Sequence, residues 1–261
     1  MQVKHIIQIK NISKVYPANT GSIGALSSVN LNIDEGSFVS IVGPSGCGKT
    51  TLLKLIGGLI SASSGEIFVN GSLVMKPRED IGFVFQSAVL LPWKNAIENV
   101  LLPIEVIRKS ISEDIVRAEN LLKIVGLKGF ESKYPHELSG GMQQRVSICR
   151  ALIQDPHCLL MDEPFGALDA LTRENINVFF NDLWVKNEKT VVMVTHSIQE
   201  AVFLSTRIIV LSERPGEIVD DVIVPFENLR SPEIMGSKEF GKIANDIRKH
   251  FRKSDQDFKT R

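Results

Sequence analysis

The sequence predicts an α/β domain with a mostly parallel sheet, an antiparallel β-rich N-terminal part and an inserted helical segment. Three observations support this fold class. An apolar run with β-branched residues, Phe38–Val42, resembles a buried strand and leads through a glycine-rich loop into a helical pattern. Apolar runs of strand length alternate with helical patterns after residue 157, which is typical of a parallel sheet. Between residues 95 and 154 apolar residues recur at three- and four-residue spacing, which indicates helices.

The N-terminal part is predicted to contain short strands. Ile6–Ile12 and Val29–Ile33 are rich in β-branched residues, and the segment Pro17–Gly24 between them is rich in turn formers. Glu66–Val69 precedes Asn70-Gly71, a dipeptide that favours tight hairpin turns. We therefore expect an antiparallel β-rich region beside the glycine-rich loop.

The remaining elements are predicted from the spacing of apolar residues and from residues that begin or end helices and strands. Ser112 is placed to cap a helix that ends near Gly126, and the apolar face of this helix comprises Ile115, Ala118, Leu121, Leu122 and Val125. Strands are predicted at Cys158–Met161, Thr190–Thr195 and Ile208–Leu211, with helices at about 171–186 and 198–204 between them. After residue 230 one apolar face, Phe240, Ile243, Ile247 and Phe251, predicts a short amphipathic helix.

Composition excludes several classes of protein. The 261 residues include 30 Lys and Arg against 30 Asp and Glu, so no nucleic-acid partner or polybasic membrane anchor is predicted. The three cysteines have neither metal-site nor disulfide-framework spacing, which favours a reducing compartment. The first ten residues do not resemble a signal peptide, and no apolar run approaches the roughly 18 residues that a membrane span needs. If the protein serves a membrane, we expect another chain to cross it.

The glycine-rich loop carries the clearest chemistry. It matches the pattern G-x-x-x-x-G-K-[S/T] at every fixed position, in the residues Gly43, Pro44, Ser45, Gly46, Cys47, Gly48, Lys49 and Thr50. A strand before it and a helix after it predict a P-loop NTPase core, in which backbone N–H groups surround phosphate oxygens. Lys49 is expected to contact the β- and γ-phosphates, Thr50 to ligate Mg²⁺, and Thr51 to donate a further hydrogen bond. An ordinary glycine-rich turn is the alternative.

Two acids end the strand that begins at Cys158. Asp162 and Glu163 follow an apolar run, and the carboxyl ends of parallel strands are where nucleotides bind in such sheets. Asp162 is expected to hold Mg²⁺ and Glu163 to orient or deprotonate an attacking water. The alternative is a solvated acidic turn, and the upstream phosphate loop argues against it.

The segment Leu138–Arg145, LSGGMQQR, makes the assignment specific. It resembles the LSGGQ signature of ATP-binding cassette (ABC) ATPases, and the similarity extends over about residues 6–225. The resemblance implies ATP and Mg²⁺ as ligands. It also implies nucleotide contacts for the signature residues Ser139, Gly140 and Gly141. This sequence departs from the commonest form at Met142, which leaves the role of that one side chain open.

Four other positions match the family's motifs in sequence order. By resemblance, Tyr16 stacks on adenine, Gln86 touches Mg²⁺ and the attacking water, Asp169 belongs to the loop Ala167-Leu168-Asp169, and His196 contacts the γ-phosphate. Each position has a simpler interpretation: a loop aromatic for Tyr16, a solvated turn residue for Gln86, and a helix cap for His196. Their shared order is the argument for the family.

The resemblance also implies how the chain works. Two ATPase subunits, identical or related, are expected to pair head to tail, so that Ser139 and Gly141 of one close on the phosphate held by Lys49 of the other. ATP would then close the dimer and hydrolysis would reopen it. Residues 1–230 would form the ATPase domain with a helical insert at about 88–155, and residues 231–261 a C-terminal helical extension and tail.

The apolar segment Ser87–Trp93 follows Gln86 directly and is the predicted docking site for a transmembrane permease. The alternative is that Leu90, Leu91 and Trp93 fill the core of the helical insert. The resemblance implies a peripheral protein on the cytoplasmic face of the membrane, whose complex includes an extracytoplasmic substrate-binding protein.

Two segments, Leu90–Asn95 and Ser212–Ile218, resemble the ATPase subunits of importers for nitrate, sulfonates, taurine and some pyrimidine or thiamine precursors. An exporter or extraction cassette stays open at this point. Cassettes that act on DNA carry long inserts, whereas 52 residues separate Gln86 from Ser139. Ribosome-acting ones usually carry two cassettes. A kinase or GTPase would not account for the signature, and the guanine-reading N-K-x-D motif is missing from the sequence.

Overall fold

The computed structural model describes residues 5–18, 21–166, 169–187 and 189–257. Within these residues, ten strands form two sheets. The strands are β1 (His5–Ala18), β2 (Gly21–Asp34), β3 (Phe38–Val42), β4 (Ser64–Val69), β5 (Ser72–Leu73), β6 (Ile81–Val84), β7 (Cys158–Asp162), β8 (Thr190–Val194), β9 (Arg207–Leu211) and β10 (Ile218–Ile223). The α-helices are α1 (Lys49–Ile56), α2 (Ala96–Ile107), α3 (Ser112–Ile124), α4 (Gly140–Leu152), α5 (Ala170–Asn187), α6 (Ile198–Leu204) and α7 (Lys238–Asp257).

The first sheet has the order β2-β1-β4-β5 and is antiparallel. The second has the order β10-β9-β3-β8-β7-β6 and is parallel except at the edge strand β10. The predicted fold class, a mostly parallel sheet with an antiparallel N-terminal part and inserted helices, is therefore confirmed.

The central strands are apolar throughout because both faces of the second sheet are covered. In β3, Val39 and Ile41 join a core with α1 and the N-terminal sheet. Phe38 and Val42 point to the opposite face, into a core with the other helices. The same alternation of two faces is expected along any strand, because successive side chains point in opposite directions. The carboxyl ends of the five parallel strands, β3 and β6–β9, therefore lie at one edge of this sheet.

Several element boundaries differ from the sequence predictions. The predicted turn Pro17–Gly24 lies mostly in paired strands, because β1 continues to Ala18 and β2 begins at Gly21, with Tyr16 opposite Ile23 and Ala18 opposite Gly21. The position before α3 is occupied by Ile111 rather than Ser112, and the Asp114 carboxylate accepts the Ile111 N–H. Strand β10 was not predicted at all.

The C-terminal helix is longer than predicted. Helix α7 spans 20 residues, and its predicted apolar face is in contact with the large core. Phe240 and Ile247 are buried there, and Ile243 and Phe251 pack against it. The Phe226 and Phe240 rings stack 6.2 Å apart. The segment after β10 is therefore packed on the same core as α5 and α6.

The buried side chain of Asn99 fixes the segment before α2. Its Oδ1 accepts the Leu91 N–H at 2.8 Å, and its Nδ2 donates to the carbonyls of Leu91, Lys94 and Asn95. Asn95 in turn caps α2 through a reciprocal bond pair with Glu98. One side-chain amide therefore hydrogen-bonds to four backbone groups of the segment between β6 and the start of α2.

Replacing this amide should cost stability. We expect Asn99→Ala to lower the free energy of unfolding by about 2 to 3 kcal/mol, because it removes the hydrogen bonds of this side chain to the Leu91 N–H and the Lys94 carbonyl. Urea unfolding followed by circular dichroism measures the change. Asn120→Ala, at an exposed position of α3, is the matched control and should stay within about 0.5 kcal/mol of the wild type. A similarly small effect for Asn99→Ala would contradict this role.

Candidate functional site

The glycine-rich loop joins β3 to α1 and leaves the start of that helix open. Gly46 and Gly48 have φ values of +77° and +106°, a region that glycine adopts without a steric penalty. Gly48 is the N-cap of α1 and no side chain caps it. The first N–H groups of a helix have no acceptor within the helix. The loop therefore presents a helix N-terminus of the kind that binds phosphate.

Lys49 lies across this loop. Its side chain is largely buried, and Nζ donates to the carbonyl oxygens of Gly43 and Pro44, both at 2.8 Å. Within the described ranges it makes no ion pair with a carboxylate. The Cys47 side chain is buried in the core beneath the loop, and burial raises the pKa of its thiol. The cation of Lys49, and not the thiol of Cys47, is thus available to an anion here.

Asp162, the last residue of β7, faces the first turn of α1. The Thr50 hydroxyl donates to Asp162 Oδ1 at 2.9 Å. Burial raises the pKa of the Asp162 carboxyl, and the neighbouring charge of Glu163 adds to the rise, whereas the hydrogen bond from Thr50 opposes it. A cation bound beside these two oxygens would stabilise the ionised carboxylate.

Glu163 stands between Gln86 and His196. Its Oε2 accepts from Gln86 Nε2 at 3.3 Å and lies 3.1 Å from His196 Nδ1. Gln86 follows β6, Glu163 follows β7 and His196 follows β8, and these strands are neighbours in the sheet. Glu163 has a φ of +46°, a strained value that is concentrated at functional sites. Three predicted residues are therefore brought together at one sheet edge.

A cleft of about 230 Å³ connects these groups to the N-terminal sheet. Its lining comprises Tyr16, Ala25, Ser45, Gly46, Gly48, Lys49, Thr50, Thr51, Glu163 and Arg214. Tyr16 of β1 therefore shares this lining with the phosphate loop, and Lys14 Nζ lies 5.0 Å from the centroid of its ring.

The signature residues lie elsewhere. Ser139, Gly140 and Gly141 are not among the residues that line this cleft. Ser139 is the N-cap of α4, and its Oγ accepts the Met142 N–H at 3.3 Å. Asp169 stands before α5, where its side chain accepts the Thr172 N–H. Its predicted loop neighbours, Ala167 and Leu168, lie outside the described residues. The structure thus separates the signature from the phosphate loop of the same chain.

Two functional candidates were missed by sequence reasoning. Glu200 is buried, accepts the Thr195 hydroxyl at 2.7 Å, and burial raises the pKa of its carboxyl. Thr195 also accepts the Ser197 N–H, so the three residues hold the turn around His196. Arg214 lines the cleft. The sequence feature that contains Arg214 is the segment Ser212–Ile218, which by sequence alone is interpreted only as a similarity to importers.

The segment after Gln86 is held by α4 and partly exposed. Gln144 donates to the Phe85 carbonyl, and Arg150 donates to the carbonyls of Ala88 and Val89. Trp93 is 70 % exposed, whereas Leu90 packs against the core. The alternative interpretation, that the segment fills the core, therefore holds for Leu90 and not for Trp93. The docking role of the exposed part stays a prediction. Of the helices that the structure describes, none has the length and apolarity to span a bilayer.

Comparison with known proteins agrees with this geometry. The family model described as ABC transporter matches residues 26–166. An aliphatic sulfonates import ATP-binding protein of Bacillus thuringiensis is 40% identical, covering 94% of this chain and 95% of its own length. A taurine import ATP-binding protein of Rhizobium johnstonii is 43% identical, covering 93% and 95%.

A solved structure provides the third comparison. The dimeric post-hydrolysis state of an ATP-binding cassette, bound to ADP and inorganic phosphate, has a TM-score of 0.77 and 40% identity, over 85% of this chain and all of that one. The predicted resemblance is confirmed: the chain belongs to the ABC transporter family and is an ATP-binding cassette ATPase.

Proposed function

We propose that this chain is the ATP-hydrolysing subunit of an importer for a small sulfonate-type solute, which a separate membrane permease conducts. The observation that carries the proposal is the meeting of Gln86, Glu163 and His196 beside the phosphate loop, with the exposed segment Ser87–Trp93 directly after Gln86. The names of the sulfonate and taurine relatives support import and this class of solute.

In this proposal the cleft holds ATP. Tyr16 stacks on the base, the backbone of the phosphate loop binds the phosphates, and Lys49 exchanges its two carbonyl contacts for phosphate oxygens. Thr50 and Asp162 offer two oxygen ligands 2.9 Å apart, and Gln86, whose amide contacts the adjacent Glu163, would offer a third. Such oxygens suit Mg²⁺, which would neutralise charge on the triphosphate.

The roles at the γ-phosphate follow from the contacts of Glu163. The Glu163 carboxylate is placed to accept a proton from the attacking water. His196 is hydrogen-bonded to Glu163 Oε2 and fixes the orientation of that carboxylate. Ser139, Gly140, Gly141 and Asp169 lie away from the cleft of their own chain. We assign them to the nucleotide of a second ATPase subunit, and the dimeric cassette that matches this chain supports that arrangement.

For the whole chain we propose an ATPase domain at 1–230, with a helical insert at about 88–155, and a C-terminal extension at 231–261. The complex would sit on the cytoplasmic face of a membrane and include a substrate-binding protein outside it.

Affinity isolation of the tagged protein from mild detergent tests this proposal. We expect a permease of about six spans, accompanied by a substrate-binding protein whose ligands can then be assayed with sulfonates, taurine and nitrate. Ribosomal or DNA-bound partners would overturn the importer while leaving the ATPase intact.

Glu163→Gln should uncouple binding from hydrolysis. Removing the carboxylate base is expected to lower kcat about 10²- to 10⁴-fold, while ATP affinity stays within about threefold. Phosphate release and nucleotide titration measure the two effects, and size-exclusion chromatography with ATP should show a lasting dimer. Glu119→Gln, exposed on α3, is the control. Hydrolysis by Glu163→Gln at the wild-type rate would refute the assignment.

Lys49→Ala should instead weaken nucleotide binding itself. The lost charge-assisted contact predicts an affinity for ATP about 10- to 100-fold lower. Equilibrium titration with a fluorescent ATP analogue measures it, and Lys128→Ala, at an exposed position, should bind as the wild type does. Unchanged affinity in Lys49→Ala would show that the phosphates bind elsewhere.

Trp93→Glu tests the docking surface. Buried tryptophans often dominate the binding energy of interfaces, so we expect at least about a tenfold loss of co-purifying permease, with ATP binding preserved. Met75→Glu changes an equally exposed apolar residue of the N-terminal part and should retain the permease. Equal permease yields for the two variants would exclude this segment as the docking site.

A further inference from the structure

The turn that joins β9 to β10 is closed by its own hydrogen bonds. The Ser212 N–H donates to the Glu217 carbonyl at 2.9 Å, and the Glu217 N–H donates to Ser212 Oγ at 3.0 Å. The Ser212 hydroxyl is also within hydrogen-bond distance of the carbonyls of Glu213 and Pro215. Residues 212–217 therefore form an internally hydrogen-bonded turn between β9 and β10.

This turn is packed directly against the phosphate loop. A Cβ added to Gly216 would lie 2.1 Å from the Cys47 carbonyl oxygen, so only glycine fits there. On its other side Gly216 donates to the Ala25 carbonyl and accepts the Ser27 N–H, at 3.0 and 3.1 Å. The turn is thus held between the phosphate loop and β2, the strand that carries one wall of the cleft.

Arg214 extends from this turn into the lining of the nucleotide cleft. It shares that lining with Tyr16, Lys49 and Thr50. Its Nε donates to the Gly24 carbonyl at 3.3 Å, an arrangement that leaves guanidinium donors available. Among the described residues, no carboxylate forms an ion pair with it. An exposed guanidinium, anchored through its backbone and one N–H, therefore faces the cleft without a counter-charge.

We propose that Arg214 is a second cationic ligand for the phosphate chain of the nucleotide, and that the Arg214–Gly216 turn is part of the nucleotide site. A guanidinium matches phosphate oxygens with two parallel donors, which the ammonium of Lys49 cannot do. The fixed turn lowers the entropy lost when the side chain engages. The inference rests on the proposed assignment of this cleft to ATP.

Arg214→Met tests the proposal. We expect about tenfold weaker binding of both ATP and inorganic tripolyphosphate, measured by displacement of a fluorescent nucleotide, with an unchanged melting temperature in the absence of nucleotide. Arg214→Lys keeps the charge without the paired donors and should fall between the wild type and Arg214→Met. Arg248→Met, on α7 and away from the cleft, is the control and should bind both ligands as the wild type does.

The alternatives give different results. Wild-type affinity of Arg214→Met for both ligands would overturn the proposal. Weaker ATP binding with unchanged tripolyphosphate binding would also overturn it, because the contact would then be to the base or ribose. Lys49→Ala distinguishes two failures. If Arg214→Met and Lys49→Ala both bind ATP normally, the proposed ATP site is wrong. If only Arg214→Met binds ATP normally, the site stands and the Arg214 assignment alone is wrong.

Gly216→Ala provides an independent measurement. The added methyl group would displace the Cys47 carbonyl, so tripolyphosphate binding should weaken even though no charge is lost. Gly236→Ala, where an added Cβ meets nothing within 4 Å, is the matched control. A Gly216→Ala variant that folds and binds tripolyphosphate normally would contradict the coupling of this turn to the phosphate loop.

Discussion

The geometry of the site depends on one backbone hydrogen bond, from the Glu163 N–H to the Val194 carbonyl at 2.8 Å. It extends the pairing of β7 with β8 by one residue beyond the last strand position, Asp162, which is opposite Val194. The chain then leaves the sheet at Glu163 with a positive φ. Asp162 and Glu163 are consecutive, and this bond holds their backbone in place. The Asp162 carboxylate can therefore contact Thr50 while the Glu163 carboxylate contacts Gln86 and His196.

Helix α4 links the signature to this sheet edge. Ser139 caps its first turn, Gln144 holds the Phe85 carbonyl next to Gln86, and Arg150 holds the carbonyls of Ala88 and Val89. The helix spans 13 residues, or about 20 Å. A rigid element of this length moves as one body, so any displacement of its first turn is shared with the loop that follows Gln86.

The accuracy of the sequence predictions depended on whether a feature is local. The phosphate loop, the end of β7 and the position of His196 are set by short patterns, and the structure brings these residues together as expected. The prediction of a turn at Pro17–Gly24 was wrong for Pro17, Ala18 and residues 21–24, because strand pairing outweighs the turn preference of these residues. The position of Arg214 in the cleft was not predicted from the sequence either. It depends on the close approach of Gly216 to Cys47, which is a contact between segments far apart in the chain.

The support of His196 extends well beyond its own loop. It precedes α6, a helix of seven residues, which would be marginal alone. Ser197 caps its first turn, and Arg230 donates to the carbonyls of Val202, Phe203 and Ser205 at its end. Burial lowers the pKa of Arg230 to about 10, so the guanidinium stays charged at neutral pH and complements the negative end of the helix. Because α6 is fixed at both ends, the position of His196 depends on residues as far along the chain as Arg230.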